Sequence, residues 1–508
     1  MLSTVYSAGL LGIDAFLLSV EVNISLAGFP VWNTVGLADS EVKESKERVV
    51  AAIKNSGYDF TQRKITINLA PADVKKEGTA FDLPIAIGLL ASSGLIPAEK
   101  IKNFMVLGEL SLNGELRPVK GALSIAILAA QKNFEGIILP ECNAVEATVV
   151  NIPVYGMKNL VEVVEFLGER LQKAPATMMP FQVSGQSASL PNFSEICGQH
   201  QAKRALEVAA SGGHNILFIG PPGSGKTMLA SRLPGILPPL SFEESLETSR
   251  IYSVVNLLQS KGLLTDRPFR APHHTISDAG LIGGGSHPKP GEISMAHHGV
   301  LFLDEFPEFR KNILESLRQP LEAGEVTITR AAASLSYPAN FMLVGAMNPC
   351  PCGYHGHPKL SCLCLPPAMA RYRAKISGPL LDRIDLHIEV PPLSFEEMTA
   401  SGAGREESAV VGARVMKARQ IQEGRFAGEK IRLNAAMGPR QIKKYCALKP
   451  EGKGIMKQIM EKFHLSGRSF HRILKVSRTL ADMEGAHHIE TPHLLEAVQY
   501  RSLDRKLF

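Results

Sequence analysis

The sequence predicts an α/β protein built around a parallel sheet, with a mixed α/β domain before it and a domain of helices after it. Three observations carry this. Ile216-Leu217-Phe218-Ile219, after Asn215, and Val300-Leu301-Phe302-Leu303 have the unbroken hydrophobicity of strands buried on both faces. The first 168 residues alternate strand-like and helix-like stretches, and helical patterns dominate after Pro391-Pro392. A chain of 508 residues is too long for one hydrophobic core, so about three domains are expected.

In residues 1–168, Ala15 to Ile24 reads as a strand and Glu41 to Ser56 as a helix. The period of two in Lys64-Ile65-Thr66-Ile67-Asn68-Leu69 marks another strand, and Asp82 to Ser92 another helix. Residues 169–191 turn to Pro, Ser, Gly and Gln with little periodicity, above all after Gln172, and read as a linker. A nucleotide-binding core is expected over 192–393 and a helical lid domain over 394–508, the last helix having Thr491 as cap and Pro492 in its first turn. Composition is that of an ordinary globular protein, with 45% hydrophobic and 20% charged residues. The longest apolar stretch, Leu83 to Leu95, is interrupted by Pro and Ser and falls short of a membrane span. Met1-Leu2-Ser3-Thr4-Val5 does not begin a secretory signal, so a cytoplasmic location with no membrane partner is expected.

The core owes its assignment to the residues that follow its two apolar runs. Gly220-Pro221-Pro222-Gly223-Ser224-Gly225-Lys226-Thr227 is a loop whose glycines let backbone N–H groups turn onto phosphates. Lys226 adds a point charge near the β and γ groups, Thr227 offers a hydroxyl to Mg²⁺, and the next helix points its positive end at the anion. A nucleoside triphosphate with Mg²⁺ is therefore the expected ligand. After the second run, Asp304 is placed to hold the metal and Glu305 to polarise the attacking water, so hydrolysis is expected beyond binding.

Four of the seven cysteines gather in Cys350-Pro-Cys352 and Cys362-Leu-Cys364, with His355 and His357 between the pairs. In a reducing compartment such a group suits a four-thiolate structural Zn²⁺ site; reduced loop cysteines and redox chemistry are the alternatives. Charge is uneven too. From Lys430 to Arg478 there are thirteen lysines and arginines against two glutamates, a surplus larger than the +6 of the whole chain. That stripe reads as the footprint of a nucleic-acid or other polyanion partner, or as solvated helix faces.

Several further segments carry a resemblance. Gly198-Gln199, Arg270-Ala271-Pro272-His273-His274-Thr275-Ile276-Ser277, Gly299 to Phe306, Gly345-Ala346-Met347-Asn348-Pro349 and Leu380-Leu381-Asp382-Arg383-Ile384-Asp385 together resemble the magnesium-chelatase-type AAA+ ATPases. End to end, the chain resembles the ComM/YifB subfamily, the bacterial competence-related members of that group. The resemblance implies a hexameric ring with active sites shared between subunits. It makes Asn348 a polar sensor that helps place water, with a simple strand cap as the alternative. It makes Arg383 an arginine finger offered to the neighbour's γ-phosphate, against a local salt bridge with Asp382 or Asp385. Arg468 matches a second sensor on the lid, with Arg472 and Arg478 close by.

Gly283 to Lys289 and Glu325 to Pro338 resemble two insertions that project toward a central pore, where Lys289 and Arg330 would touch a phosphate backbone or stand as solvated loop charges. The pairs His273-His274 and His297-His298 read as core or loop histidines more readily than as metal ligands. The N-terminal domain resembles the proteolytic domain of Lon-type proteases through Lys76-Glu77-Gly78-Thr79-Ala80, Gly108-Glu109-Leu110 and Gly114-Glu115-Leu116-Arg117-Pro118. Ala80 and Leu123 stand where that family has its Ser nucleophile and activating Lys, so no protease activity is expected and the domain reads as a binding or ring-assembling module. The function implied is an ATP-driven motor on branched, single- or double-stranded DNA, promoting branch migration in recombination or natural transformation. A protein-remodelling ATPase like the chelatase motor is the rival, and a nucleotide-dependent scaffold the third reading.

Overall fold

The computed structural model describes residues 2–25, 29–60, 63–177, 181, 190–258, 262–285, 288–329, 334–399, 406–463 and 465–501. Arg330, one of the two expected DNA-contact cations, lies outside the described residues, as do residues 178–180 and 182–189 of the linker. The chain divides into two compact units, one of Met1–Gln182 with Ser241–Leu264, the other of Val183–Leu240 with Thr265–Phe508.

Among the described residues, nine strands belong to the first unit: β1 (Leu2–Leu11), β2 (Asp14–Ser25), β3 (Trp32–Val35), β4 (Lys64–Ala70), β5 (Phe104–Val106), β6 (Glu109–Leu110), β7 (Leu116–Arg117), β8 (Gly136–Pro140) and β9 (Val154–Met157). Seven of them form one mixed sheet in the order β3-β4-β2-β1-β5-β8-β9, while β6 and β7 pair separately. The alternation in β4 buries Ile65, Ile67 and Leu69 on one face, as its period requires. The helix Asp82–Ser92, apolar on every side, is buried along its whole length. Leu123 is fully buried, and Ala80 is partly buried in the same unit.

One segment departs from the contiguous core expected over 192–393. Residues 241–264, including the helix Phe242–Val254, pack with the N-terminal unit. Leu258 joins Leu123 and Val149 in an apolar cluster bordered by Leu246, Tyr252 and Leu263. The Ser253 carbonyl accepts from Gly121 N–H at 3.0 Å, and its hydroxyl donates to buried Glu146 at 2.6 Å. Burial pushes the Glu146 carboxyl above its ordinary range, against the lowering effect of its bonds to Ser253 and Asn143. The packing face of this helix is written mainly in Ser245, Thr248, Ser249 and Ser253, so hydrophobic periodicity gave no signal of it.

The second unit holds β10 (Ile216–Ile219), β11 (Phe269–Arg270), β12 (Gly283–Gly284), β13 (Lys289–Pro290), β14 (Val300–Leu303), β15 (Glu325–Thr329), β16 (Ser334–Pro338), β17 (Met342–Met347) and β18 (Leu386–Glu389). Its central sheet is parallel, in the order β11-β14-β17-β10-β18, while β12–β13 and β15–β16 are small antiparallel hairpins. Every residue of β10, β14 and β17 is buried, which explains the unbroken apolar runs.

Helices make up the C-terminal part, and the break expected at 393/394 is not a break in packing. Val415, Ile473 and Leu480 share one hydrophobic cluster with Phe218, Val344 and Leu386 of the sheet. The last helix, Thr491–Gln499, is capped by Glu490 rather than Thr491, and the Glu490 N–H donates to His493 Nδ1 at 2.9 Å. No helix among the described residues is long and apolar enough to cross a membrane.

Candidate nucleotide site

Three adjacent parallel strands deliver the expected residues to one place. β10 runs into Gly220–Gly225, β14 into Asp304 and Glu305, and β17 into Asn348, so all three sets emerge at the carboxyl edge of the sheet. The loop is tightly confined at its start: a Cβ on Gly220 would stand 2.1 Å from the Val390 carbonyl oxygen. Farther on it opens. Gly223 (φ +75°) and Gly225 (φ +87°) take the left-handed conformation, and a Cβ on either would meet nothing within 4 Å. Gln199 braces the loop from behind, donating to Pro391 O at 2.7 Å and Ser224 O at 3.4 Å.

Lys226 is only 9% exposed, and its ammonium donates to Gly220 O at 2.7 Å, Pro221 O at 2.9 Å and Asn348 Oδ1 at 3.3 Å. Burial pushes it below the usual lysine range, and the charge of Asp304 opposes that shift. Thr227 Oγ1 donates to Asp304 Oδ2 at 2.7 Å, so the hydroxyl and carboxylate expected to share Mg²⁺ are already adjacent. The open inner face of the loop, the buried cation and this hard-oxygen pair fit a nucleotide with its metal.

Glu305 has φ +51° and a side chain 56% exposed, with Oε2 lying 3.1 Å from His274 Nδ1. His274, expected as a core or loop histidine, meets Glu305 across thirty-one positions, a separation that leaves no signal in the sequence. His273 stacks on His274 with centroids 4.0 Å apart, whereas His297 is buried and its Nδ1 accepts from Asn340 N–H at 3.0 Å.

Arg383 is 8% exposed; its Nη1 donates to Pro379 O at 2.5 Å and its Nη2 pairs with Glu322. The alternative partners named from the sequence are otherwise engaged. Asp385 is held by Arg472 and by His214 at 3.1 Å, and Asp382 lies 3.9 Å from Arg468. Burial alone would raise the Asp385 carboxyl, but Arg472 and His214 hold it below the usual range. Of the three lid arginines, Arg472 and Arg478 are committed to Asp385 and Asp482, while the Arg468 side chain is 71% exposed. Lys289 is exposed on β13.

The four clustered cysteines converge immediately after Asn348. Cys350 Sγ lies 3.4 Å from Cys352 Sγ and 3.7 Å from Cys362 Sγ, with Cys352 to Cys362 at 3.6 Å. A zinc–thiolate tetrahedron with bonds of about 2.3 Å has sulfur–sulfur edges of about 3.8 Å, so the set fits that ion. The Tyr354 backbone N–H pulls the Cys352 thiol down to about 6. Cys364 is pushed up to about 12, the lowering by the Cys352 N–H being outweighed by its side-chain bond to Cys352 and by burial. His357 caps a turn instead, its Nδ1 accepting from Lys359 and Leu360 N–H. The cysteine loop touches the phosphate loop directly, since a Cβ on Gly353 would meet Pro222 Cδ at 2.6 Å.

Comparison with known proteins agrees with this architecture along the chain. Residues 192–398 match the family described as magnesium chelatase, subunit ChlI; residues 20–143 match subunit ChlI of Mg-chelatase, and 405–501 the ChlI C-terminal family. Competence protein ComM of Haemophilus influenzae is 45% identical over 511 aligned residues, covering 100% of this chain and 98% of the relative. The uncharacterized protein YifB of Escherichia coli is 44% identical with the same coverage. The magnesium-chelatase 38 kDa subunit of Cereibacter sphaeroides is 26% identical over 31% of this chain.

Contact between the two loops generates a paired prediction. Gly353→Ala adds a methyl that must displace Pro222, and should weaken ATP binding several-fold as well as reduce stability. Gly356→Ala, at φ +78° with open space around it, should cost stability of about 1 kcal/mol and leave ATP affinity unchanged in equilibrium binding.

Proposed function

The chain belongs to the ComM/YifB subfamily of magnesium-chelatase-like AAA+ proteins, and from that premise we propose that it is a competence-related ATPase acting as a ring motor on DNA, driving branch migration in recombination or natural transformation. The observation that carries the ATPase reading is the convergence of Lys226, Thr227, Asp304, Glu305 and Asn348 on one edge of the parallel sheet.

Each residue has a task in this reading. Backbone N–H groups of 220–227 and the Lys226 ammonium cradle the phosphates, turning from the carbonyls and Asn348 amide oxygen that now hold the lysine. Thr227 and Asp304 would hold Mg²⁺, which would supply positive charge to offset that of the phosphates. Glu305 accepts a proton from the attacking water, and Asn348 orients that water. Arg383, from a neighbouring subunit of a hexamer, meets charge that develops on the transferred group, and Arg468 reaches the same phosphates from the lid. Cys350, Cys352, Cys362 and Cys364 would hold a structural zinc, which would brace the loop after Asn348.

The DNA reading rests on charge. Ten of the thirteen cations between Lys430 and Arg478 are exposed, only Arg472, Lys475 and Arg478 being turned inward, so the stripe is a surface. Lys289, exposed on its hairpin, supplies a further phosphate contact. The N-terminal unit, with Ala80 and Leu123 where a Lon-like protease needs its nucleophile and base, serves binding or ring assembly.

Lys226→Ala should lose ATP binding, whereas Glu305→Gln should retain it and lose turnover by about 10²- to 10⁴-fold, as removal of a general base does; wild-type hydrolysis by the latter would end its assignment. ATP-dependent strand exchange on a four-way junction should occur and fail with a non-hydrolysable analogue, and stimulation of turnover should fall steeply with salt as counterions compete. Stimulation by a partner protein and by no DNA would instead favour the remodelling motor. Metal analysis should find about one zinc per chain, reduced when Cys352 is replaced by Ser.

A further inference from the structure

One ion pair joins the hairpin β15–β16 to the segment that carries Arg383. Glu322, its acidic member, lies in the helix Arg318–Ala323, immediately before the hairpin. Gly324 (φ +71°) turns the chain between them, and its carbonyl accepts from Ala339 N–H at 2.8 Å, closing the hairpin on the end of that helix. Gln319 Nε2 adds a bond to Thr327 Oγ1 at 3.4 Å, so helix and hairpin form one body.

The other hairpin is fastened to it. Fully buried Tyr337 donates its hydroxyl to Pro288 O at 2.8 Å, and Gly283 sits so near Ile328 that a Cβ would meet Cδ1 at 2.8 Å. Lys289 therefore rides on the same body as Glu322. The backbone around Arg383 is held elsewhere: its carbonyl accepts from Asn215 Nδ2 at 3.0 Å, and Asp385 N–H donates to Asn215 O at 3.0 Å, at the start of β10. Within this pairing the guanidinium is buried, and among the described residues its Nε has no hydrogen-bond partner. A buried donor without an acceptor makes a poorly satisfied resting place, which the side chain leaves readily once its carboxylate moves.

We propose that Glu322 is a positioning residue that retains Arg383 inside its own subunit and releases it when the paired hairpins are drawn onto a polyanion. The inference rests on the reading of Arg383 as the charge delivered to a neighbour's site. In that scheme a pull on Lys289 displaces the hairpin body, parts Glu322 from Arg383, and frees the guanidinium to turn toward the adjoining subunit. DNA contact and turnover are thereby linked through a single pair whose two members sit on separately anchored pieces of backbone.

The test uses the full-length protein and measures ATP turnover with and without a four-way DNA junction. Glu322→Ala should raise DNA-free kcat about three- to tenfold at unchanged KM and leave DNA-bound turnover near wild type, so that the stimulation ratio collapses. Glu322→Asp should keep most of that ratio, and the double variant Glu322→Ala with Arg383→Ala should be as slow as Arg383→Ala alone. The Glu322 side chain is 64% exposed, so its loss leaves no buried void, and unchanged melting would confirm that the variant folds. DNA-free turnover that stays at the wild-type level in Glu322→Ala, or a double variant as fast as Glu322→Ala, overturns the proposal. Full turnover by Arg383→Ala, or a wild-type protein indifferent to DNA, overturns the motor reading beneath it, and these two results are read independently of the Glu322 variants.

Discussion

The buried ammonium of Lys226 is the interaction on which the nucleotide end of the second unit depends. Among the described residues it makes no direct contact with a carboxylate; two carbonyls of its own loop and the amide oxygen of Asn348 satisfy it instead. Those acceptors exist only because β10 and β17 lie side by side in parallel and end together, Ile219 opposite Met347. On the other side β18 brings the Val390 carbonyl so close to Gly220 that no larger residue fits. A cation held by neutral acceptors is ready to exchange them for phosphate oxygens, whose opposite charge adds Coulomb attraction to the hydrogen bond.

Around this centre the second unit is tied together by polar networks as well as by its apolar core. His214, just before β10, contacts Asp385 on one ring nitrogen and Thr479 on the other at 2.8 Å, reaching from the sheet into the helical region. Asn434 continues the chain to Thr479 and Asp482, and Asp482 is shared by Arg425 and Arg478. Buried groups so fully satisfied fix one arrangement of the helices on the sheet, because any other would leave charge without a partner. The exposed guanidinium of Arg468 then projects from a well-anchored helix, with Arg472 one turn along it bound to Asp385.

Much of this was legible in the sequence, for local reasons. The strands β10, β14 and β17 are buried on both faces and so are written in apolar residues alone, and the phosphate loop needs its glycines and lysine in fixed order. Contacts between distant positions were not legible. His274 meets Glu305, and Glu322 meets Arg383, through pairings that only the closed sheet creates, and neither pair leaves a periodic trace. The helix Phe242–Val254 packs with the first unit through serine and threonine, and small hydroxyl side chains look like those of a solvated surface, so its place is not legible in the sequence. Fusion of the helical region with the sheet was missed for the opposite reason: Pro391-Pro392 marks a turn in the backbone, while the hydrophobic cluster continues across it.

The excursion of residues 241–264 governs how the protein can be dissected. The chain returns to the first unit after the phosphate loop has been made, so a cut near residue 183 does not separate two self-sufficient halves. A fragment starting there keeps Leu246, Tyr252, Leu258 and Leu263 but loses the helix with Leu123 and the neighbouring Val149 that shelter them. Such a flap would expose those four apolar side chains to water beside its serine and threonine face, and invite self-association. The N-terminal fragment, for its part, would leave Glu146 without the Ser253 hydroxyl that helps satisfy it.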